Sequence, residues 1–281
     1  MRANRLRIGT HQRIALFRRR LYIDPMQRFA NPARFMSLSG AVLPWLWTAA
    51  AILLAAGLYQ SFFRAPPDYQ QGETVRIMFI HVPSAWLAMM GYGIVAASSF
   101  GLLVFRHPLA DVSAKAAAPI GAVFTLLALI TGALWGKPMW GTYWVWDARL
   151  TSVLILFFLY LGLIALRQSI EDEADAAQLT AILAIAGIVI LPIIKFSVNW
   201  WWTMHQPSTQ LTSTVHLSMR IPLLIMAAGF TLLFLAMHMT AMRNEILRQR
   251  VKVLRMLEVD RAEAGRQARP GPALADAGQT P

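Results

Sequence analysis

The chain has 281 residues, of which 57% are hydrophobic and 14% charged, and its formal net charge is +12. Its mean hydropathy of +0.48 is well above that of soluble globular domains, so the composition indicates an integral membrane protein. The basic excess lies mainly in the two terminal regions, which is typical of topology signals and lipid contacts and argues against nucleic-acid binding, and the absence of cysteine excludes disulfides and thiolate ligands.

The N-terminal 40 residues form a basic leader. Residues 1–36 contain nine arginines and a single acid, Asp24. Because basic residues are retained on the cytoplasmic side of a membrane, we expect this leader to be cytoplasmic.

Six segments are long and apolar enough to cross a hydrocarbon core of about 30 Å. They are residues 42–63, 82–105, 117–134, 151–166, 179–194 and 217–242. The sequence therefore predicts an all-α integral membrane protein whose transmembrane domain spans residues 41–242. An even number of spans places both termini on the same side, and the arginines of the two terminal regions indicate that it is the cytoplasmic side.

Residues 243–281 form a third region, which we also expect to be cytoplasmic. Its first part has basic residues between apolar residues at helical spacing, namely Leu247, Val251, Leu254 and Leu257. Such a helix packs on a partner or lies on the lipid surface. The last residues are rich in Pro, Gly and Ala, which is typical of a disordered end.

A tryptophan-rich segment, WGKPMWGTYWVWDAR, connects the third and fourth spans. Its indole rings belong to Trp135, Trp140, Trp144 and Trp146. Flat apolar rings can form a platform for a large flat molecule such as haem, whereas tryptophans can also serve only as an interfacial belt. We expect Gly136, Pro138 and Gly141 to break the helix within this segment. A broken helix favours a shaped platform over an interfacial belt.

Three of the six histidines lie on the same side of the membrane as this segment. They are His81, His205 and His216, whereas His11, His107 and His238 fall on the other side. Neutral imidazole is a good ligand for haem iron, and two histidines would fill both axial positions. His81 and His205 are each followed two residues later by a proline, Pro83 or Pro207, which restricts the local backbone.

The haem propionates would need hydrogen-bond donors. Lys137, Arg149, Arg220 and the indole N–H groups are candidates. Two of the polar residues also have simpler explanations, because Arg149 could snorkel at the interface and Asp147 could cap the fourth span.

The sequence resembles a known family in four stretches. WGKPMWGTYWVWDARLTS resembles the tryptophan-rich WWD domain of the haem-handling proteins of cytochrome c maturation. The stretches PPDYQQGETVRIMFIHVPSAW, APIGAVFTLLALITGALWGKPMW and LPIIKFSVNWWWTMHQPST are similar to the six-span member of that group, the haem exporter protein C (CcmC) family. The resemblance covers most of residues 40–240.

This resemblance implies a multi-pass protein of the bacterial inner membrane with a periplasmic haem site. Such proteins present haem b and deliver it to the haem chaperone CcmE. They assemble with an ABC-type complex that includes CcmA, CcmB and the small membrane protein CcmD. The family's function is binding and handover, so we do not expect an enzyme.

The resemblance also assigns roles to individual residues. It makes His81 and His205 the axial ligands of the haem iron. It places the haem-binding platform at Trp135, Trp140, Trp144, Trp146 and Asp147. His216 matches no ligand position of the family.

Two other functions remain possible at this point. One is a permease that moves haem across the bilayer, although the candidate ligands gather at one membrane face. The other is a haem–cysteine ligase like the larger WWD relatives, but these have additional spans and a further histidine pair.

Overall fold

The structure is a computed structural model that describes residues 31–205 and 215–267. Most of the arginine-rich leader, Pro207 and the end of the chain from residue 268 lie outside the described residues. The predictions made for them are therefore not addressed by the fold.

Helices account for nearly all of the described chain, and six of them, counted as spans, are long and apolar enough to cross a membrane. The helices are α1 (Pro32–Tyr59), α2 (Met78–Phe105), α3 (Pro108–Trp140), α4 (Ala148–Ser169), α5 (Glu173–Gly187), α6 (Ile190–Trp200) and α7 (Leu217–Gln267). A π-helical turn, Gln60–Arg64, extends α1, and a 3₁₀ turn, Glu73–Ile77, leads into α2. Helices α5 and α6 together form the fifth span, so the predicted fold class and number of spans are confirmed.

The helices are longer than the spans predicted from hydropathy, and α3 shows the consequence. Its 33 residues correspond to about 50 Å, well beyond a hydrocarbon core of about 30 Å. The prediction that Gly136 and Pro138 break the helix is wrong, because α3 continues to Trp140. It ends at Gly141, whose φ of 76° is accessible to glycine and whose N–H donates to the Lys137 carbonyl at 3.0 Å.

Close helix packing at the centre depends on small residues. The Tyr160 hydroxyl of α4 donates to the Ala88 carbonyl of α2 at 2.8 Å. The Tyr160 ring lies directly against Gly121 of α3, where a Cβ atom would have no room. Contacts of this kind are typical of membrane helices, because small residues let the backbones approach.

Contacts between helix termini define two ends of the bundle. At one end, which we call the tryptophan end, the start of α2 contacts the end of α3, and the start of α4 contacts the end of α6. At the opposite end, ion pairs connect α3 with α7 through Lys115 and Glu245, and α3 with α4 through Asp111 and Arg167. The candidate ligands and tryptophans are thus collected at one end.

The basic stretch after Met242 is the continuation of α7. The predicted domain boundary at residue 242 is not a break in the helix, which continues to Gln267. All four apolar residues of its predicted pattern, Leu247, Val251, Leu254 and Leu257, are exposed. The stretch therefore extends the last span beyond its apolar part.

Candidate functional site

His81 lies in the first turn of α2 and is held by α3. Its Nδ1 atom is 3.0 Å from the Ala128 carbonyl oxygen and 3.1 Å from the Thr131 hydroxyl. A carbonyl oxygen can only accept, so Nδ1 carries the proton and donates it. The lone pair of the neutral ring is then on Nε2, which is the atom available to a metal.

A glycine allows His81 to approach α3 this closely. A Cβ atom at Gly132 would lie 2.9 Å from His81 Cε1, which is too short for a normal contact. The imidazole therefore occupies the space that a side chain at residue 132 would need.

Trp135 packs beside His81 and is fixed by a loop. The two rings meet edge to face, with centroids 5.7 Å apart. The Trp135 indole N–H donates to Gln71 Oε1 at 2.7 Å. Gln71 belongs to a turn in which Asp68 Oδ1 accepts the Gln70 and Gln71 N–H groups, both at 2.9 Å. Gln71 was not among the predicted site residues.

Trp140 and His205 come together from different parts of the chain. Their ring centroids are 6.4 Å apart, and His205 follows α6 in a segment without regular secondary structure. Gly136 provides the surface on which Trp140 lies, because a Cβ atom there would be 2.9 Å from the indole ring.

Trp144 and Trp146 form a second aromatic pair, with centroids 5.5 Å apart in edge-to-face geometry. Trp146 is 76% exposed. The Trp144 indole nitrogen is buried and has no hydrogen-bond partner among the described residues. A buried N–H without an acceptor is costly, so this donor suits an acceptor brought by a ligand.

Asp147 is buried and caps α4, which is one of the two roles expected for it. Its Oδ1 atom accepts the Leu150 N–H at 2.8 Å. Its Oδ2 atom accepts the hydroxyl hydrogen of Thr203, two residues before His205. The carboxylate therefore connects the tryptophan-rich segment with the segment that carries His205.

Arg149 and Lys137 make structural contacts. Arg149 Nε donates to the Ser197 hydroxyl at 3.0 Å, and its Nη2 donates to the Lys195 carbonyl at 3.3 Å, which ties α4 to α6. Lys137 donates to the Gly141 carbonyl at 2.9 Å and thus supports the end of α3. The hydrogen bonds described for these two side chains are made to other residues of the protein.

Two further described histidines, His216 and His238, have local partners. His216 precedes α7, where its carbonyl accepts the Met219 N–H at 3.0 Å and its Nδ1 is 2.9 Å from the Ser218 hydroxyl. His238 is buried in α7, with Nε2 at 3.2 Å from the Ser113 hydroxyl. Both arrangements explain the histidine through helix packing or helix capping.

The site as a whole combines two imidazoles with an aromatic surface. His81 is fixed in one tautomer by α3, and His205 lies with Trp140 at the same end of the bundle. The Trp144 N–H adds a donor for an anionic group. These groups fit a flat apolar macrocycle with a central metal and carboxylate substituents, which describes haem.

Comparisons with known proteins agree with this chemistry. The family described as "Heme exporter protein C" matches residues 25–257. A "Heme exporter protein C" of Bradyrhizobium diazoefficiens is 61% identical over 83% of this chain and 89% of its own length. The Escherichia coli K12 protein of that name is 46% identical over 79% of this chain and 91% of its own length. A Marchantia polymorpha "Putative cytochrome c biosynthesis ccmC-like mitochondrial protein" is 53% identical over 66% of this chain and 77% of its own length.

We predict that Gly132→Ala displaces the His81 ring, because the added methyl group needs the space of Cε1. Since loss of a ligand's support typically weakens a metal site by 10- to 100-fold, haem retention should fall by about tenfold. The measurement is the haem content and absorption spectrum of the purified protein.

Gly93→Ala in α2 is the matched control, because nothing lies within 4 Å of a Cβ atom there. If both variants retained haem with the wild-type spectrum, the packing of His81 against Gly132 would have no part in ligand orientation.

Proposed function

The chain belongs to the heme exporter protein C family, and from this premise we propose that it binds haem b and presents it to the haem chaperone CcmE during cytochrome c maturation. The general role in haem handling for cytochrome c maturation follows from the family and from the names of its relatives. The observation that carries the specific proposal is the placement of His81 and His205 with the tryptophans at one end of the bundle.

The two histidines supply the axial ligands in this proposal. The Ala128 carbonyl keeps the proton of His81 on Nδ1, so Nε2 can bind iron. His205 supplies the second imidazole from the segment after α6. With both axial positions filled, the iron has no open position for oxygen, which suits a protein that holds and transfers haem without catalysing a reaction.

The aromatic side chains supply the contact surface. Trp135 and Trp140 lie beside the two histidines, and Trp146 is largely exposed at the same segment. Stacking on such rings contributes apolar contact without covalent attachment. The Trp144 N–H is suited to a propionate oxygen.

Handover requires an accessible site and partners. Trp202 and Trp146, which are 81% and 76% exposed, leave the tryptophan end open to an approaching protein. We propose that this end faces the periplasm, where CcmE takes the haem, and that the chain works in the inner membrane with CcmA, CcmB and CcmD. The arginine-rich termini support this orientation, because they favour the cytoplasmic side.

A permease that carries haem through this chain is less well supported. Tyr92, Leu156 and Tyr160 fill the interior between the two ends, and all three are fully buried. Tyr92 and Tyr160 pack edge to face with centroids 5.3 Å apart. Passage of a macrocycle between these helices would require the central packing to separate.

We predict that His81→Ala and His205→Ala each remove one axial ligand. The haem spectrum should change from six-coordinate to five-coordinate, and haem retention should fall at least about tenfold, since even loss of an outer-shell partner has that effect. The measurement is absorption spectroscopy of the oxidised and reduced protein at matched membrane levels.

His107→Ala is the control, because His107 lies at the start of α3 and its side chain makes no capping bond. His238 is less suitable, since it is buried against Ser113. Unchanged spectra and haem content in both ligand variants would rule out the proposed coordination.

The proposed orientation predicts how single cysteines introduced into this cysteine-free chain will be labelled. Tyr69→Cys and Thr142→Cys, both at exposed residues of the tryptophan end, should react with an impermeant thiol reagent from the periplasmic side. Glu171→Cys and Ala174→Cys, exposed at the opposite end, should react only after the membrane is opened. The reverse labelling pattern would place the haem site on the cytoplasmic side and contradict the proposal.

A further inference from the structure

Two hydrogen bonds in series connect the aspartate of the tryptophan-rich segment to His205. The Thr203 hydroxyl donates to Asp147 Oδ2. The same hydroxyl oxygen accepts the backbone N–H of His205 at 3.0 Å. A buried carboxylate at the start of α4 is therefore linked, through a single side chain, to the backbone of a candidate ligand.

The direction of both bonds follows from elementary chemistry. A carboxylate can only accept, so the single hydroxyl hydrogen of Thr203 must point to Asp147. The lone pairs of the hydroxyl oxygen then face away from the carboxylate and can receive the His205 N–H. A hydrogen bond to an ionised group is stronger than one between neutral groups, which makes Thr203 a fixed acceptor.

His205 needs such support more than His81 does. His81 is part of α2, so the helix backbone and the Ala128 carbonyl hold its ring. Helix α6 ends at Trp200, and residues 201–205 have no regular secondary structure. The His205 N–H donates to the hydroxyl oxygen of Thr203, two residues earlier, which is a local turn that threonine side chains often form.

Asp147 already uses both of its oxygens inside the protein. Oδ1 caps α4 through the Leu150 N–H, Oδ2 accepts from Thr203, and the residue is only 6% exposed. These contacts explain its place beside the tryptophans without a contact to haem.

We propose that Thr203 and Asp147 are positioning residues that hold His205 in the orientation needed for an axial ligand. This inference rests on the proposed function, since it concerns how the second imidazole reaches the iron. It replaces the expectation that Asp147 is part of the surface that contacts haem. Because His81 is held independently by α3, loss of this connection affects one ligand and leaves the other in place.

Thr203→Val in the full-length chain tests the proposal. Valine keeps the shape of threonine but cannot donate to Asp147 or accept from His205, while the α4 cap remains. We expect haem retention to fall by about tenfold and the remaining haem to show a five-coordinate component like that of His205→Ala. Thr203→Ser keeps the hydroxyl and should restore the wild-type spectrum.

A second readout does not depend on haem. In the haem-free protein, hydrogen exchange at the His205 amide should be faster in Thr203→Val than in the wild type or in Thr203→Ser, because the amide has lost its acceptor. Thr240→Val is the matched control, since the Thr240 hydroxyl donates to the Ala236 carbonyl within α7.

The outcomes separate the two proposals. If His205→Ala loses a ligand but Thr203→Val keeps the wild-type spectrum and amide exchange, the positioning role is wrong and the proposed function stands. If His81→Ala and His205→Ala both leave the spectrum unchanged, the proposed function is wrong and the positioning role fails with it.

Discussion

The hydrogen bond between His81 Nδ1 and the Ala128 carbonyl determines which nitrogen of the imidazole is available at the site. It forms only because α2 and α3 approach closely, which Gly132 permits by leaving room for the ring. The same approach brings Trp135 against His81. The tautomer of one ligand and the position of one aromatic ring therefore both depend on a single helix contact.

The two candidate ligands are supported in different ways. His81 is built into a membrane-spanning helix, and its Nδ1–H donates to a carbonyl of a neighbouring helix. His205 lies on an irregular segment, and its described backbone support comes from Thr203 and, through it, from Asp147. A site that must release its ligand can keep one imidazole rigid and place the other on an irregular segment that side-chain hydrogen bonds help to hold. This asymmetry is consistent with a protein that transfers haem.

Much of the architecture could be predicted from the sequence, because hydropathy and helix capping are local signals. Six apolar segments gave six spans, and Asp147 caps α4. The helical state of Trp140 could not be predicted, since Gly136 and Pro138 usually oppose a helix and only the packing of a long span overrides them.

The polar contacts of the site depend on residues far apart in the chain, which a single sequence does not reveal. The Trp135 indole N–H donates to Gln71, 64 residues away, and the Thr203 hydroxyl donates to Asp147, 56 residues away. Arg149 was a candidate haem contact, yet its described bonds connect α4 to α6. The one local signal was the threonine two residues before His205, a spacing at which a hydroxyl can accept the histidine N–H.

The central claim is that haem is held between His81 and His205 at the tryptophan end of the bundle. A cryo-electron microscopy structure of the full-length chain purified with haem tests it most directly. The account predicts that the iron is bonded to Nε2 of His81 and to an imidazole nitrogen of His205, with the macrocycle against Trp140. Haem located elsewhere, or iron bonded to neither histidine, would contradict it.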